Sequence, residues 1–339
     1  SYIMEKKVEL KEIINKQRDF FNTNATKSVK YRIKMLQRLK EAIRNNEAAI
    51  LSALYKDLLK SGAEAYMSEL AIVYAEINEA LKNVRKCSRP EKVKGTISTF
   101  PAKNYVYSDP YGVVLIISPW NYPFNLAIAP LIVAIAAGNT AIIKCSKESV
   151  YTSKVIKYII NKAFGLNYIF CVDEDIDYDE LLNQRYDYIF FTGSQRVGKI
   201  VMNVASNNLI PVSLELGGKS PCIIDETADI KLAARRVLWG KLLNAGQTCV
   251  SVDYVLIHSS VKDRFIKYLQ KEIKRRYPNA LNNDTYPRII NEHHYKRLMN
   301  LIKSEESIIG GRGDDVVHRL EPTILPDVDF DHKIMKEEI

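Results

Sequence analysis

The sequence has no apolar run long enough to cross a membrane. Its longest, 126–137, falls short of the roughly 20 residues a spanning helix needs and suits a buried helix. Residues 1–8 carry no apolar signal segment, so the expected location is the cytoplasm. Cysteine is sparse and odd in number: Cys87, Cys145, Cys171, Cys222 and Cys249, with no CxxC pair. That argues against a disulfide framework and a zinc site, and for a reducing compartment. Histidine is equally scarce. His258, His293, His294, His318 and His332 lie in no motif-like setting, which leaves a cysteine-peptidase reading without its base. GxSxG, GxGxxG and GxxxxGK[ST] are all absent, as are internal repeats and low-complexity tracts. No metal site is supported.

What is present describes a globular protein. The 339 residues are 47% hydrophobic and 26% charged, enough for a sizeable core and two domains. The net charge is +9, but the lysines are spread over helical runs at 27–40 and 262–276 beside glutamates. This looks like a compositional bias rather than a nucleic-acid footprint, and it implies a mild attraction for anionic cofactors.

Residues 5–86 read as helix, with apolar residues at helical spacing (Ile33, Leu36, Leu39, Ile43, then Leu51, Leu54, Leu58) and no proline. Ser88-Arg89-Pro90 stops this layer, and 105–108 alternates like an exposed strand. From 111 the rhythm changes. Apolar strands at 113–117, 140–144, 167–170 and 187–191 alternate with helices at 126–137, 150–163, 178–182 and 195–206. Uniformly apolar strands between helices predict a parallel sheet covered on both faces, with ligands at the carboxyl ends of its strands. A second series starts near Pro211, with strands at 212–215, 221–224 and 252–257 and helices at 230–243, 261–276 and 292–303. The expected fold is α/β: a helical layer and a Rossmann-like cofactor domain over 1–210, and a second α/β catalytic domain over 211–339.

Five stretches carry candidate chemistry. Asn244-Ala245-Gly246-Gln247-Thr248-Cys249 places a cysteine at a helix-to-strand junction, where a nucleophile could be held; most lone cysteines are small, buried and inert. Ser118-Pro119-Trp120-Asn121-Tyr122-Pro123 follows a strand. Two prolines fix an amide there that could hold an oxyanion, or the stretch is a plain turn. Lys144 ends the next strand, as a cofactor contact or as a solvated lysine. Thr192-Gly193-Ser194-Gln195-Arg196-Val197-Gly198-Lys199 is a glycine turn entering a helix, a weak phosphate cradle on its own. Glu215, before Leu216-Gly217-Gly218-Lys219, is a general base or a surface ion-pair partner.

Together these stretches resemble the aldehyde dehydrogenase superfamily: PWNYP at 119–123, Lys144, TGSxxVGK at 192–199, LELGGKSP at 214–221 and GQTC at 246–249, in that order, over nearly all of 20–339. The run 210–222, with Arg235-Arg236 and Trp239-Gly240-Lys241, looks like the class 3 or fatty-aldehyde branch. The resemblance implies oxidation of an aldehyde to an acid with NAD or NADP. Cys249 would be the nucleophile, Asn121 the oxyanion donor and Glu215 the base. Cofactor contacts would fall at Ser118, Trp120, Lys144, Lys147, Thr192, Gly193, Ser194, Val197, Gly198, Leu216, Gly217 and Glu338. It also implies a homo-oligomer, a dimer when complete, and a medium or long aliphatic or aromatic aldehyde. Tyr66, Trp120, Tyr122 and Trp239 would line a tunnel or simply pack in the core. A CoA-acylating relative is disfavoured by Glu215, which such relatives generally lack. A non-catalytic homologue is disfavoured by the retained Cys249, Glu215 and Asn121.

Two departures from the pattern matter. Many members carry a glutamate three residues after the Lys144 position, where it accepts both ribose hydroxyls; here that residue is Lys147, which would instead welcome a 2′-phosphate. Cys145 replaces the usual proline. Secondly, 335–339 looks like the start of the family's EEIFGP segment. A protein of only these residues is therefore expected to be C-terminally truncated, with uncovered apolar surface and sheet edges, poorly active and prone to associate.

Overall fold

The computed structural model describes residues 8–339. Residues 1–7, including the start of the expected helical stretch, lie outside the described residues. The chain divides into two compact units. One comprises the residues through Ile50 with Met67–Glu215; the other comprises Leu51–Tyr66 with Leu216–Ile339.

The first unit is built on a five-stranded sheet. Its strands are β3 (Val113–Ile117), β4 (Thr140–Lys144), β5 (Ile169–Cys171), β6 (Tyr188–Gly193) and β7 (Val212–Leu216), in the order β5-β4-β3-β6-β7. The ladders of β3 with β4, β3 with β6 and β4 with β5 are parallel. Every residue of β3 and β4 is buried, which explains their unbroken apolar sequence: both faces are covered. The chain builds outward from β3 to β5, then returns to the other side of β3 with β6. That reversal is a topological switch point, where open α/β sheets leave a crevice beyond the strand ends. An antiparallel pair, β1 (Glu91–Val93) and β2 (Asn104–Val106), stands apart with exposed residues.

Helices α1 (Leu10–Asn22), α2 (Val29–Arg44) and α5 (Ala71–Cys87) belong to the first unit; α3 (Glu47–Leu58) runs from the first unit into the second, and α4 (Gly62–Ala65) lies in the second, with a π-helical turn at Tyr66–Leu70 before α5. The sheet helices are α6 (Asn125–Ala137), α7 (Val150–Ala163), α8 (Tyr178–Leu182) and α9 (Gln195–Ser206). Both α1 and α6 pack on β3 and β4. Buried Arg32 fastens α2 to the rest: its guanidinium donates to Thr26 O (2.9 Å), Ser88 Oγ (3.1 Å) and Ala136 O (3.1 Å), the last at the carboxyl end of α6, where a cation is favourable.

The sequence pattern puts the strand at 212–215 at the head of the second series, but β7 is the fifth strand of the first sheet. Ile189 N–H donates to Pro211 O (3.1 Å), and Tyr188 and Ser213 join their hydroxyls across the two strands.

In the second unit β8 (Pro221–Ile224) pairs in parallel with β9 (Tyr254–Ile257). Helices α10 (Ile230–Leu242) and α11 (Ser259–Arg276) bury Ala234, Val237, Leu238, Phe265 and Leu269 together with Ile224. Asp229 caps α10 by accepting from Leu232 N–H at 3.0 Å. A smaller cluster forms around α12 (Glu292–Ile302), from Ile289, Tyr295, Leu298, Leu301 and Ile334. Among the described residues no helix is long and apolar enough to cross a membrane.

Candidate active site

In the first unit the sequence-predicted residues gather at the carboxyl ends of β3, β4 and β6, on either side of the switch point. Ser118 follows β3 and donates its N–H to Lys144 O (3.0 Å), so the two strand ends are tied. Lys144 is only 4% exposed, which rules out a solvated lysine. Its ammonium lies 5.1 Å from the centre of the Tyr178 ring, a cation–π contact. Burial holds its pKa below the usual lysine value; Cys145 opposes this and the neighbouring Lys147 adds to it. Lys147 itself is exposed. Cys145, where a proline was expected, is buried beside the thiol of Cys171.

Thr192 and Gly193 close β6, the neighbour of β3. A Cβ at Gly193 would lie 2.7 Å from the Phe191 ring, which would have to move to admit a side chain. Ser194 caps α9, accepting from Val197 N–H at 3.3 Å, and Gly198 is buried one turn in. The first turn of α9 contains no acidic side chain. Its partly positive end is therefore available to an anion, and a buried ammonium stands at the end of β4. This donor set fits a dinucleotide.

Beyond β3, Asn121 is half-buried between Pro119 and Pro123. Its Oδ1 accepts from Tyr122 N–H (3.0 Å), so Nδ2 is the donating edge of the amide. Tyr122 is 7% exposed and belongs to the core, whereas Tyr66 and Trp239 are exposed at 43% and 55%. Glu215, at the end of β7, is exposed and forms no ion pair with any described residue.

The second unit contains the cysteine loop, and its backbone is unusual. Asn244 (φ 54°), Ala245 (φ 53°) and Gly246 (φ 85°) are consecutive left-handed residues, two of them with a Cβ. Such conformations cost about 1–2 kcal/mol each for L residues and persist only where the surroundings impose them. Those surroundings are specific. Asn244 N–H donates to Glu64 Oε1 (3.1 Å), and Asn244 Nδ2 donates to Gln247 O (3.1 Å). Buried Gln247 donates from Nε2 to Asn244 O and Arg288 O, both at 3.0 Å, and accepts from Ile290 N–H at 3.1 Å. Arg288 in turn donates to Asp57 O and Lys56 O, both at 3.0 Å, at the end of α3. Thr248 N–H closes back on Gly246 O (2.8 Å). Cys249 follows, half-buried and in no disulfide.

Sequence reasoning missed Glu64 and the clamp role of Gln247. The glutamine was visible inside GQTC, but nothing in the sequence says that its amide serves three main-chain groups. Gln247→Ala is expected to destabilise the protein by about 3 kcal/mol, roughly 1 kcal/mol or more for each buried group left unpaired. Urea unfolding reads this, and an unchanged midpoint would show that the loop holds itself.

Gly217, Gly218 and Glu338 also meet in the second unit. Glu338 Oε2 accepts from Gly218 N–H (3.2 Å), and a Cβ at Gly217 would clash with the same oxygen. Burial raises the Glu338 pKa, with the Gly218 N–H working against it. Lys219 Nζ lies 2.6 Å from Asp253 Oδ1 and donates to Ile334 O (2.9 Å) and Glu337 O (2.7 Å), tying the 334–338 segment to the glycine pair.

The aldehyde dehydrogenase family model matches residues 3–339. The chain belongs to the aldehyde dehydrogenase family. It is thus an NAD(P)-dependent oxidoreductase. It is 47% identical over 324 residues to the 4,4′-diaponeurosporen-aldehyde dehydrogenase of Staphylococcus aureus, covering 94% of this chain and 71% of that protein. It is 38% identical over 333 residues to the dimeric NADP-preferring aldehyde dehydrogenase of Canis lupus familiaris, covering 98% and 74%. Among solved structures, the substrate-bound state of Staphylococcus aureus AldH superposes with a TM-score of 0.93 at 45% identity, covering 96% of this chain and 72% of that one. The α/β fold with its helical layer, and the family resemblance, are therefore established.

Proposed function

We propose that this aldehyde dehydrogenase oxidises medium- or long-chain aliphatic or aromatic aldehydes to carboxylic acids. The observation that carries this reading is the cysteine loop: three left-handed residues, clamped by Gln247 and Glu64, present the half-buried Cys249 thiol. Such strain is maintained at sites that do chemistry.

In this reading the Cys249 thiolate attacks the aldehyde carbonyl carbon. The Asn121 amide and the Cys249 backbone N–H hold the resulting oxyanion. NAD or NADP, when bound, supplies the hydride acceptor that turns the adduct into a thioester. Glu215 takes a proton from water, and the hydroxide so formed releases the acid from Cys249. Ser118, Trp120 and Lys144 would hold the adenosine side with Lys147. Thr192, Gly193 and Ser194 would sit by the pyrophosphate or nicotinamide, Val197 and Gly198 by the adenine side, and Leu216, Gly217 and Glu338 by the nicotinamide side. Exposed Glu215 suits a base that must meet water.

The cofactor preference proposed is NADP. Lys147 is exposed and close enough to depress the Lys144 pKa, so a 2′-phosphate held by Lys144 would also meet the Lys147 ammonium. The canine relative's name describes it as NADP-preferring. Lys147→Glu is expected to weaken NADP binding about 10- to 100-fold, the loss of one charge-assisted contact, and to strengthen NAD binding. Parallel fluorescence titrations read both, and NAD binding tighter than NADP in the unaltered protein sinks the preference. A homodimer in the cytoplasm is the assembly proposed. The same relative is named as dimeric, and the β1–β2 region exposes Ile97, Phe100 and Tyr107. The test of the reaction itself is hexanal with each cofactor, scoring hexanoate. Reduced cofactor without acid would point to a different acyl acceptor.

A further inference from the structure

The π-helical turn at Tyr66–Leu70 contains a glutamate for which the reaction scheme has no use. Glu69 is 0% exposed. Its Oε1 accepts from two main-chain donors, Phe124 N–H (3.0 Å) and Asn125 N–H (3.1 Å). Both belong to the start of α6, the helix that follows the Asn121 loop. Asn125 Nδ2 also donates to Ser68 O at 3.5 Å, so two successive residues of the π turn serve the same helix end.

This is a costly way to cap a helix. A local serine or aspartate would stabilise the end by about 1 kcal/mol with no buried charge. Helix α6 has none: its N-cap residue is Phe124, without a side-chain bond, and its sequence is almost wholly apolar. The acceptor comes instead from a different helix, as a buried carboxylate, through a π turn. Burying a carboxylate costs several kcal/mol before its partners repay it, and π turns concentrate at functional sites.

The bonds lead from Glu69 to the oxyanion amide. Glu69 fixes Phe124 and Asn125. Leu126 N–H, next in the same turn, donates to Tyr122 O (2.9 Å). Tyr122 N–H donates to Asn121 Oδ1 (3.0 Å). Pro123 stiffens the chain between Asn121 and α6, so a shift of the α6 start is transmitted to Asn121 rather than absorbed. We infer that Glu69 is a positioning residue for the oxidation: it holds the start of α6 so that the Asn121 amide stays aimed at the developing oxyanion. This rests on the role proposed above for Asn121.

The test is a double-variant cycle on the full chain. Glu69→Ala is expected to lower kcat for hexanal about 100-fold, the low end of what one lost oxyanion donor costs, with the KM for NAD(P) within about twofold. Glu69→Gln, whose amide oxygen can accept from both N–H groups, is expected to recover kcat to within about fivefold of the unaltered protein. If Glu69 acts through Asn121, adding Glu69→Ala to Asn121→Ala changes kcat by less than about twofold. Multiplying losses in the double variant, or an unchanged kcat in Glu69→Ala, would overturn the inference. Should Glu69→Ala fail to fold, judged by its melting curve and cofactor binding, Glu69→Asp replaces it. It keeps the charge but shortens the reach, so a kcat below that of Glu69→Gln is expected, and the reverse order overturns the positioning role. Full activity in Cys249→Ala or Asn121→Ala would instead bring down the proposed mechanism, and this inference with it. Full activity in Glu69→Ala beside an inactive Cys249→Ala removes this inference alone.

Discussion

Cys249→Ala is expected to abolish aldehyde oxidation, by on the order of 10⁴-fold or more, while cofactor affinity stays within about twofold. Without the thiol there is no adduct from which the thioester forms, and the remaining groups only bind and orient. The substitution removes one sulfur from a half-buried position, so a stability change of about 1 kcal/mol is the most it should cause. The contrast between lost turnover and kept binding separates a nucleophile from a structural cysteine. A nucleophile of the peptidase kind would need an imidazole base. His258 is occupied in the turn before α11, with Nδ1 2.8 Å from Ser260 Oγ, and His332 lies 2.9 Å from Asp329 Oδ1. His294 is pushed down to about 4 by burial, with Arg297 and His293 adding to it, which makes it a weak base. Oxidation that survives in the alanine variant, with acid formed at the normal rate, would remove the covalent mechanism.

How much of this was legible in the sequence depends on what sets each feature. The bounds of β3, β4, α7 and α9 agree with the sequence reading residue for residue, because runs such as Val113-Val114-Leu115-Ile116-Ile117 are buried on both faces. The assignment of 212–216 was not legible. Val212-Ser213-Leu214-Glu215 has the composition of either unit, and only its place beside β6 puts it in the first sheet. Nor does the helical run at 51–66 show that it belongs with the second unit; Arg288, more than two hundred residues later, bonds its main chain. The least legible features are those that position the candidate site. Glu64 and Glu69 look like the solvated glutamates of any amphipathic helix. Asn244 and Ala245 give no warning of a left-handed backbone, since neither requires one. Motif residues were readable because chemistry limits their types. The groups that hold them were not, because a hydrogen bond to a distant main chain can be made by many residues at many positions.

Glu215→Gln is expected to separate the two halves of the reaction. The isostere keeps the shape of the β7 end but cannot take a proton, so the first half should run and the second should stall. In a stopped-flow trace with hexanal, this predicts a burst of reduced cofactor equal to the concentration of Cys249. Turnover afterwards should be slower than in the unaltered protein by about 10²- to 10⁴-fold. Intact-mass measurement of the quenched sample should find the hexanoyl group, and peptide mapping should place it on Cys249. Glu215 is exposed and forms no ion pair with any described residue, so the substitution should change stability by no more than about 0.5 kcal/mol. That removes misfolding as an explanation of slow turnover. Unchanged turnover would mean that another group activates the water. Loss of the burst would mean that Glu215 acts before the thioester forms, as a base for the Cys249 thiol. A burst with an acyl group trapped on Cys249 is the one result that assigns both residues at once: it needs a nucleophile that works and a hydrolytic base that does not.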